Sequence, residues 1–188
     1  MNPQLDPPGA GLPERERRVA SIMLWTGSRL ISRKRVADMF LGESRKIETL
    51  CLPLSPEQAK CRVLIDRIMG IEDNSRNWSV YMVLEHLVIV NGGITSLIES
   101  LNGGQAFGRE VRIEDVKPKP TAGEETVGAL ESSVKQLLQT VESIERFSTA
   151  AKHRHPWFGQ MNSQQWFTLA AVHMRVHRKQ IEGIIAGL

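Results

Sequence analysis

Cysteine is scarce in this 188-residue sequence: Cys51 and Cys61 are the only two, and they do not form a CxxC pair. Two cysteines make no disulfide framework, so a reducing cytoplasm is the expected compartment. Charge of one sign is scarce too. A net charge of +3 is too small to imply a nucleic-acid partner by itself. Long hydrophobic runs are missing. The most apolar stretch, VYMVLEHLVIV at residues 80–90, is too short to span a bilayer and contains Glu85 and His86. The opening MNPQLDPPGAGLPERERR lacks the apolar centre of a signal peptide. No internal repeat occurs, and no strand pattern stands out except a short piece at residues 109–116. What remains is ordinary for a soluble globular chain: 41% hydrophobic and 24% charged residues, at a length sufficient for one real core.

Helical patterns fill most of that length. Residues 1–13 are rich in proline and glycine and are expected to be disordered. Residues 14–41 read as a basic helix, with Gly27 as its expected break. Ser55 and Pro56 form a helix start, opening a helix to about Ile71 with Cys61, Leu64, Ile65 and Ile68 inward. A second helix covers about Ser79 to Leu101. It is apolar nearly all round, so it belongs at the centre, and the paired glycines after Asn102 stop it. A long irregular connection, residues 102–123, leads to a third helix from about Glu124 to Ala150. Asn162 or Ser163 can cap a fourth, which reaches the C-terminus. The expected fold is an all-α bundle of four main helices over residues 52–188, with residues 1–51 as an N-terminal helical extension. The long connection between the second and third helices allows a crossover that leaves them parallel.

The last helix poses a question. Trp166, Ala170, His173, His177, Ile181, Ile184 and Leu188 share one side at helical spacing, so two histidines interrupt a core-facing stripe. Four positions apart, their rings lie on one face, with Cβ atoms about 6 Å apart, close enough to share a metal ion. His86 lies on the inner stripe of the central helix with Met82, Val83, Ile89 and Val90. Three inward histidines with an open position form a catalytic metal arrangement; the competing reading is three core histidines bonded to backbone or water. Two familiar motifs are excluded. Met174 occupies the place where a zincin needs glutamate, and no histidine here has glutamate three residues before it, as a ferritin-like di-iron site requires.

Three segments together resemble the DinB/YfiT-like superfamily: NWSVYMVLEHL at residues 77–87, HPWFGQMNSQQW at residues 155–166 and HMRVHRKQI at residues 173–181. The resemblance implies a four-helix bundle with a long crossover. It also implies a divalent ion, commonly zinc or nickel, held by His86, His173 and His177. Characterised relatives include thiol-dependent S-transferases and a thiol-dependent maleylpyruvate isomerase, so a low-molecular-weight thiol is the implied cosubstrate. A metal-bound thiol loses its proton more easily, which makes the chemistry reasonable. Many members have no assigned activity, so the resemblance defines a site better than a reaction.

Other residues carry two readings each. Glu85, about 100° around the helix from His86, is a candidate base, or an edge residue paired to a basic side chain. Gln180 is a candidate to orient a ligand or substrate. Trp157 and Phe158 are candidates for a substrate mouth, or plain packing aromatics at the bundle end. His153 and His155 read as a solvated loop. The basic stretch Arg29–Arg35 reads as a solvated face, or a contact for nucleic acid or anionic lipid. The functions left open are metal-dependent S-transfer to a small electrophile, metal-assisted hydrolysis, and a non-catalytic bundle with a structural metal. In the last, Trp25, Leu30 and Phe40 would be exposed and would mediate homodimerisation or binding.

Overall fold

The computed structural model describes residues 4–7, 9–105, 107–108, 110–147 and 150–188. Its helices are α1 (Glu14–Leu30), α2 (Arg33–Cys51), α3 (Pro56–Lys60), α4 (Val80–Asn102), α5 (Glu125–Ser143) and α6 (Ser163–Ala186). Two small antiparallel ladders join them. One pairs β1 (Val63–Leu64) with β2 (Asn77–Trp78); the other pairs β3 (His153–His155) with β4 (Gly159–Met161).

The bundle consists of α2, α4, α5 and α6, each packed on two of the others, with α1 laid against α6. Cross-links give the helix directions. Asn91 reaches Ser133 and Thr140 reaches Glu99, so α4 and α5 run parallel. His86 lies against His173, and Asn102 against Ser163, so α6 runs antiparallel to α4. A parallel neighbour requires the chain to travel the length of the bundle between the two helices. Residues 103–124 make that crossover. α4 is the one described helix long and apolar enough to cross a membrane, and it is mostly buried inside the bundle.

Several boundaries differ from the sequence expectation. Helix α2, placed in the extension by the sequence reading, is a bundle helix. Val36, Phe40 and Ile47 are buried, and Glu43 pairs with Arg178 of α6 at 2.5 Å. Phe40 is therefore core, not an exposed docking residue. The break before α2 falls at Ile31–Ser32, because the Ser32 hydroxyl accepts the Arg35 amide, while Gly27 stays inside α1. Helix α3 stops at Lys60 instead of Ile71. Residues 63–64 pair with 77–78, and Ile65 donates to Arg76 in a continuation of that ladder. Cys61 is accordingly exposed. A short apolar run fits period 2 as well as period 3.6, and here the pairing decides.

Helix α5 ends at Ser143, where Arg33 takes the carbonyl of Ile144. Of the remaining residues assigned to that helix, 148–149 lie outside the described residues. No strand forms over residues 110–116, which end in a 3₁₀ turn at Glu114–Val116; Arg109 is outside the described residues. The described part of the N-terminal segment is ordered. Asp6 donates to Asp73, Gly11 donates to Glu72, and Asn74 donates to the carbonyl of Pro7.

Candidate metal centre

Local sequence positions each ligand. Ser79 caps α4 by accepting the Met82 amide, which fixes the start of the helix and puts His86 near the end of its second turn. Asn162 and Gln165 form a capping box at the start of α6, and His173 and His177 follow on its inner face. Trp78 is the wall of the site. Its ring stacks on His177, 6.3 Å between centroids at 9°, and lies 5.2 Å from His86.

The three imidazoles converge. The His173 Nε2 atom lies 3.0 Å from the Nε2 of His86 and 3.0 Å from that of His177. All three ligand atoms lie within 4.8 Å of one another. An ion about 2.0–2.1 Å from each nitrogen separates them by about 2.9 Å at right angles and about 3.3 Å at tetrahedral angles. The two 3.0 Å separations fall in that interval.

Hydrogen bonds set the tautomers. His86 Nδ1 lies 2.6 Å from the carbonyl of Val116, which can only accept, so this nitrogen carries the proton. The Gln180 Nε2 donates to the Ser75 carbonyl at 2.7 Å, so its Oε1 faces His177 Nδ1 at 2.6 Å and accepts from it. Both histidines therefore direct an Nε2 lone pair inward. Burial pushes the His86 pKa down to about 4, with Lys117 adding to the effect. Burial also holds His173 and His177 well below the usual range, and the neighbouring imidazoles lower them further. Neutral rings with inward lone pairs are what a divalent cation requires. The residues fit such an ion.

Behind the ligands lies a second layer. Lys117 donates to Glu72 at 2.5 Å, to Asn74 at 2.7 Å and to the Ser75 hydroxyl at 3.0 Å. The other Glu72 oxygen accepts from Gly11. Burial alone would raise the Glu72 pKa, but Lys117 and the amides of Gly9 and Gly11 outweigh it and hold the carboxyl low.

The remaining site expectations sort out by contact. Glu85 accepts the Lys119 amide. It clamps the crossover next to Val116, so its contact is to loop backbone and not to the imidazoles. Gln180 is fully buried and bonds to His177, the ligand-orienting role of the two expected for it, and it is not among the residues that line the cleft described next. Trp157 lines a cleft of 760 Å³ together with Gly9, Phe107, Arg112, Glu114 and His153. Phe158 stacks on His155 at 4.7 Å and is absent from the cleft wall. His155 is not a solvated loop residue. It is buried, accepts the Trp157 amide, and has its pKa pushed down to about 3 by burial. The Val116 carbonyl and the Lys117–Glu72 pair escaped the sequence reading. A backbone acceptor has no side-chain signature, and Glu72 and Lys117 lie 45 positions apart.

Fold and site together define a four-helix bundle with an internal three-histidine metal-binding set. A profile of the DinB family matches residues 32–185, and the chain belongs to that family. The crystal structure of TT2238, a four-helix bundle protein, is similar at a TM-score of 0.58 and 18% identity, covering 80% of this chain and 98% of that one. At that identity the likeness shows the fold alone. No curated protein matches the sequence.

Proposed function

We propose that the protein is a cytoplasmic metal-dependent enzyme for transfer of a low-molecular-weight thiol to a small electrophile, in which His86, His173 and His177 would hold the divalent ion. The observation that carries the reading is the convergence of three neutral imidazoles, two of them locked with Nε2 lone pairs inward. Three protein ligands leave coordination open for a small molecule, which is the catalytic and not the structural pattern. A bound zinc or nickel ion supplies positive charge that lowers the pKa of a thiol or water.

The chain's own residues do the rest. Val116 and Gln180 hold two rings in register, and Trp78 shields one side from water. The cleft beside Trp157 gives a small electrophile a place to lie near the hairpin β3–β4.

The test is elemental analysis of untagged protein beside His173→Ala and His177→Ala, followed by thiol and electrophile screening of the loaded protein. Near-stoichiometric metal that both variants lose, with thiol consumption that depends on it, is the expected result. Absence of metal after reconstitution with a panel of divalent ions would end the reading. Hydrolysis without thiol consumption would replace transfer by the hydrolytic alternative.

A further inference from the structure

Helix α1 precedes the family match, which begins at residue 32, and it packs on the outside of the bundle against α6. It has two apolar faces. The inner one is short and centres on buried Leu24. The outer one carries Val19, Ile22, Met23 and Leu30, which fall within roughly 100° of arc around the helix. Ile22 is 63% exposed, Met23 67% and Leu30 83%. Trp25, also exposed, borders the stripe under the Arg29 guanidinium, 3.8 Å from its ring centroid. A helix that needs only its inner face for packing has no folding reason to be apolar outside.

The charges bordering the stripe indicate what covers it. All four arginines of α1 (Arg15, Arg17, Arg18 and Arg29) are exposed; Arg18 and Arg29 border the stripe along one edge, and Arg15 lies on it one turn before Val19. The two acids are engaged: Glu14 with Arg18, and Glu16 with Arg67 and the Gly70 amide. Exposed Lys34 and Arg35 follow at the start of α2. A second copy of the chain is a poor match. A two-fold interface sets the same patch against itself and would bring the arginines together. An anionic surface is complementary in both respects, accepting apolar side chains beside basic ones.

We infer that α1 is an interfacial helix that seats the protein on anionic lipid, with Val19, Ile22, Met23 and Leu30 in the acyl boundary and the arginines at the headgroups. The inference is independent of the chemistry at the metal centre. Its test is cosedimentation of the full-length protein with vesicles of phosphatidylglycerol and phosphatidylcholine, or of phosphatidylcholine alone. Binding to the anionic vesicles only is expected. The Ile22→Ser/Met23→Ser double variant should bind at least tenfold more weakly while keeping its helical content and metal. Arg15→Gln/Arg29→Gln should flatten the salt dependence. No sedimentation at low salt, or equal binding by the double variant, would overturn the inference. So would a solution dimer that the double variant dissociates, because the stripe would then belong to a second copy.

Discussion

The two sides of the metal centre are built differently. Toward Ser75, Val116 and Lys117, each polar group described above has a partner, from the His86 Nδ1 to the Glu72 carboxylate. Toward the hairpin β3–β4, the His173 Nδ1, the Trp166 Nε1 and the His153 Nε2 are buried without one among the described residues. Trp166 lies 5.3 Å from His155 and 6.5 Å from His153, and His173 follows it two turns later on the same face of α6. Buried polar atoms without partners cost stability, so a folded chain keeps few of them. One side of the centre is scaffold. The other holds unused hydrogen-bonding capacity, where a substrate or an ordered water finds partners.

The sharpest way to break this contrast is to remove a ligand. His177→Ala should abolish stoichiometric metal retention, measured by elemental analysis. Retention would place the ion elsewhere. On the scaffold side, Lys117→Ala leaves Glu72, whose side chain is only 2% exposed, without its cation. A loss of about 3 kcal/mol in denaturant unfolding is expected, at the lower end for a broken buried pair because Lys117 itself is partly exposed. Gln180→Ala frees His177 Nδ1 and should weaken metal affinity by about 10–100-fold in chelator competition. An unchanged affinity would show that ring orientation is set by Trp78 alone.

Acidification tests the burial of the rings. His86 titrates near 4 in the folded chain, below its ordinary value of 6.5. Between those values the unfolded chain binds more protons, so stability falls as pH falls. The slope from His86 alone is roughly 1 kcal/mol per pH unit, seen in melts of the chelator-treated protein. A flat profile from pH 6.5 to 4 would mean that the rings are solvated. The smallest effect belongs to the open side. Trp166→Phe deletes a donor without a partner among the described residues, so stability should change by less than about 1 kcal/mol. A rise in KM without a matching fall in stability would then assign that donor to the substrate.

Side-chain chemistry made the ligands legible in the sequence. His173 and His177 interrupt an apolar stripe, and that interruption is visible without coordinates. Helix ends signalled by side chains were legible too: Ser55 before Pro56, the Asn162–Ser163 pair before the last helix, where Asn162 is the cap, and Gly103 at the end of α4. Features that depend on partners distant in sequence were hidden. Helix α2 reads as an extension because nothing in residues 1–51 resembles the family motifs; its buried Glu43 is compensated by Lys46 on its own helix and by Arg178 of α6, a partner 135 positions away. The β1–β2 ladder was hidden because its apolar run fits two periods. The N-terminal segment reads as disordered from its proline and glycine content, yet Glu72, Asp73 and Asn74 give its backbone the bonds that it could not make alone.

Because α4 and α5 are parallel, the crossover between them is a measured length of chain with a fixed point on it. Val116 must stop beside His86, and Lys119 must stop beside Glu85. Surface loops usually absorb insertions at little thermodynamic cost. This one should be two loops in its tolerance. Extra residues near Gly108 only lengthen the approach. A single residue inserted between Val116 and Lys119 puts the two anchors out of register with adjacent positions on one helix, and the ring of His86 loses the acceptor that aims it.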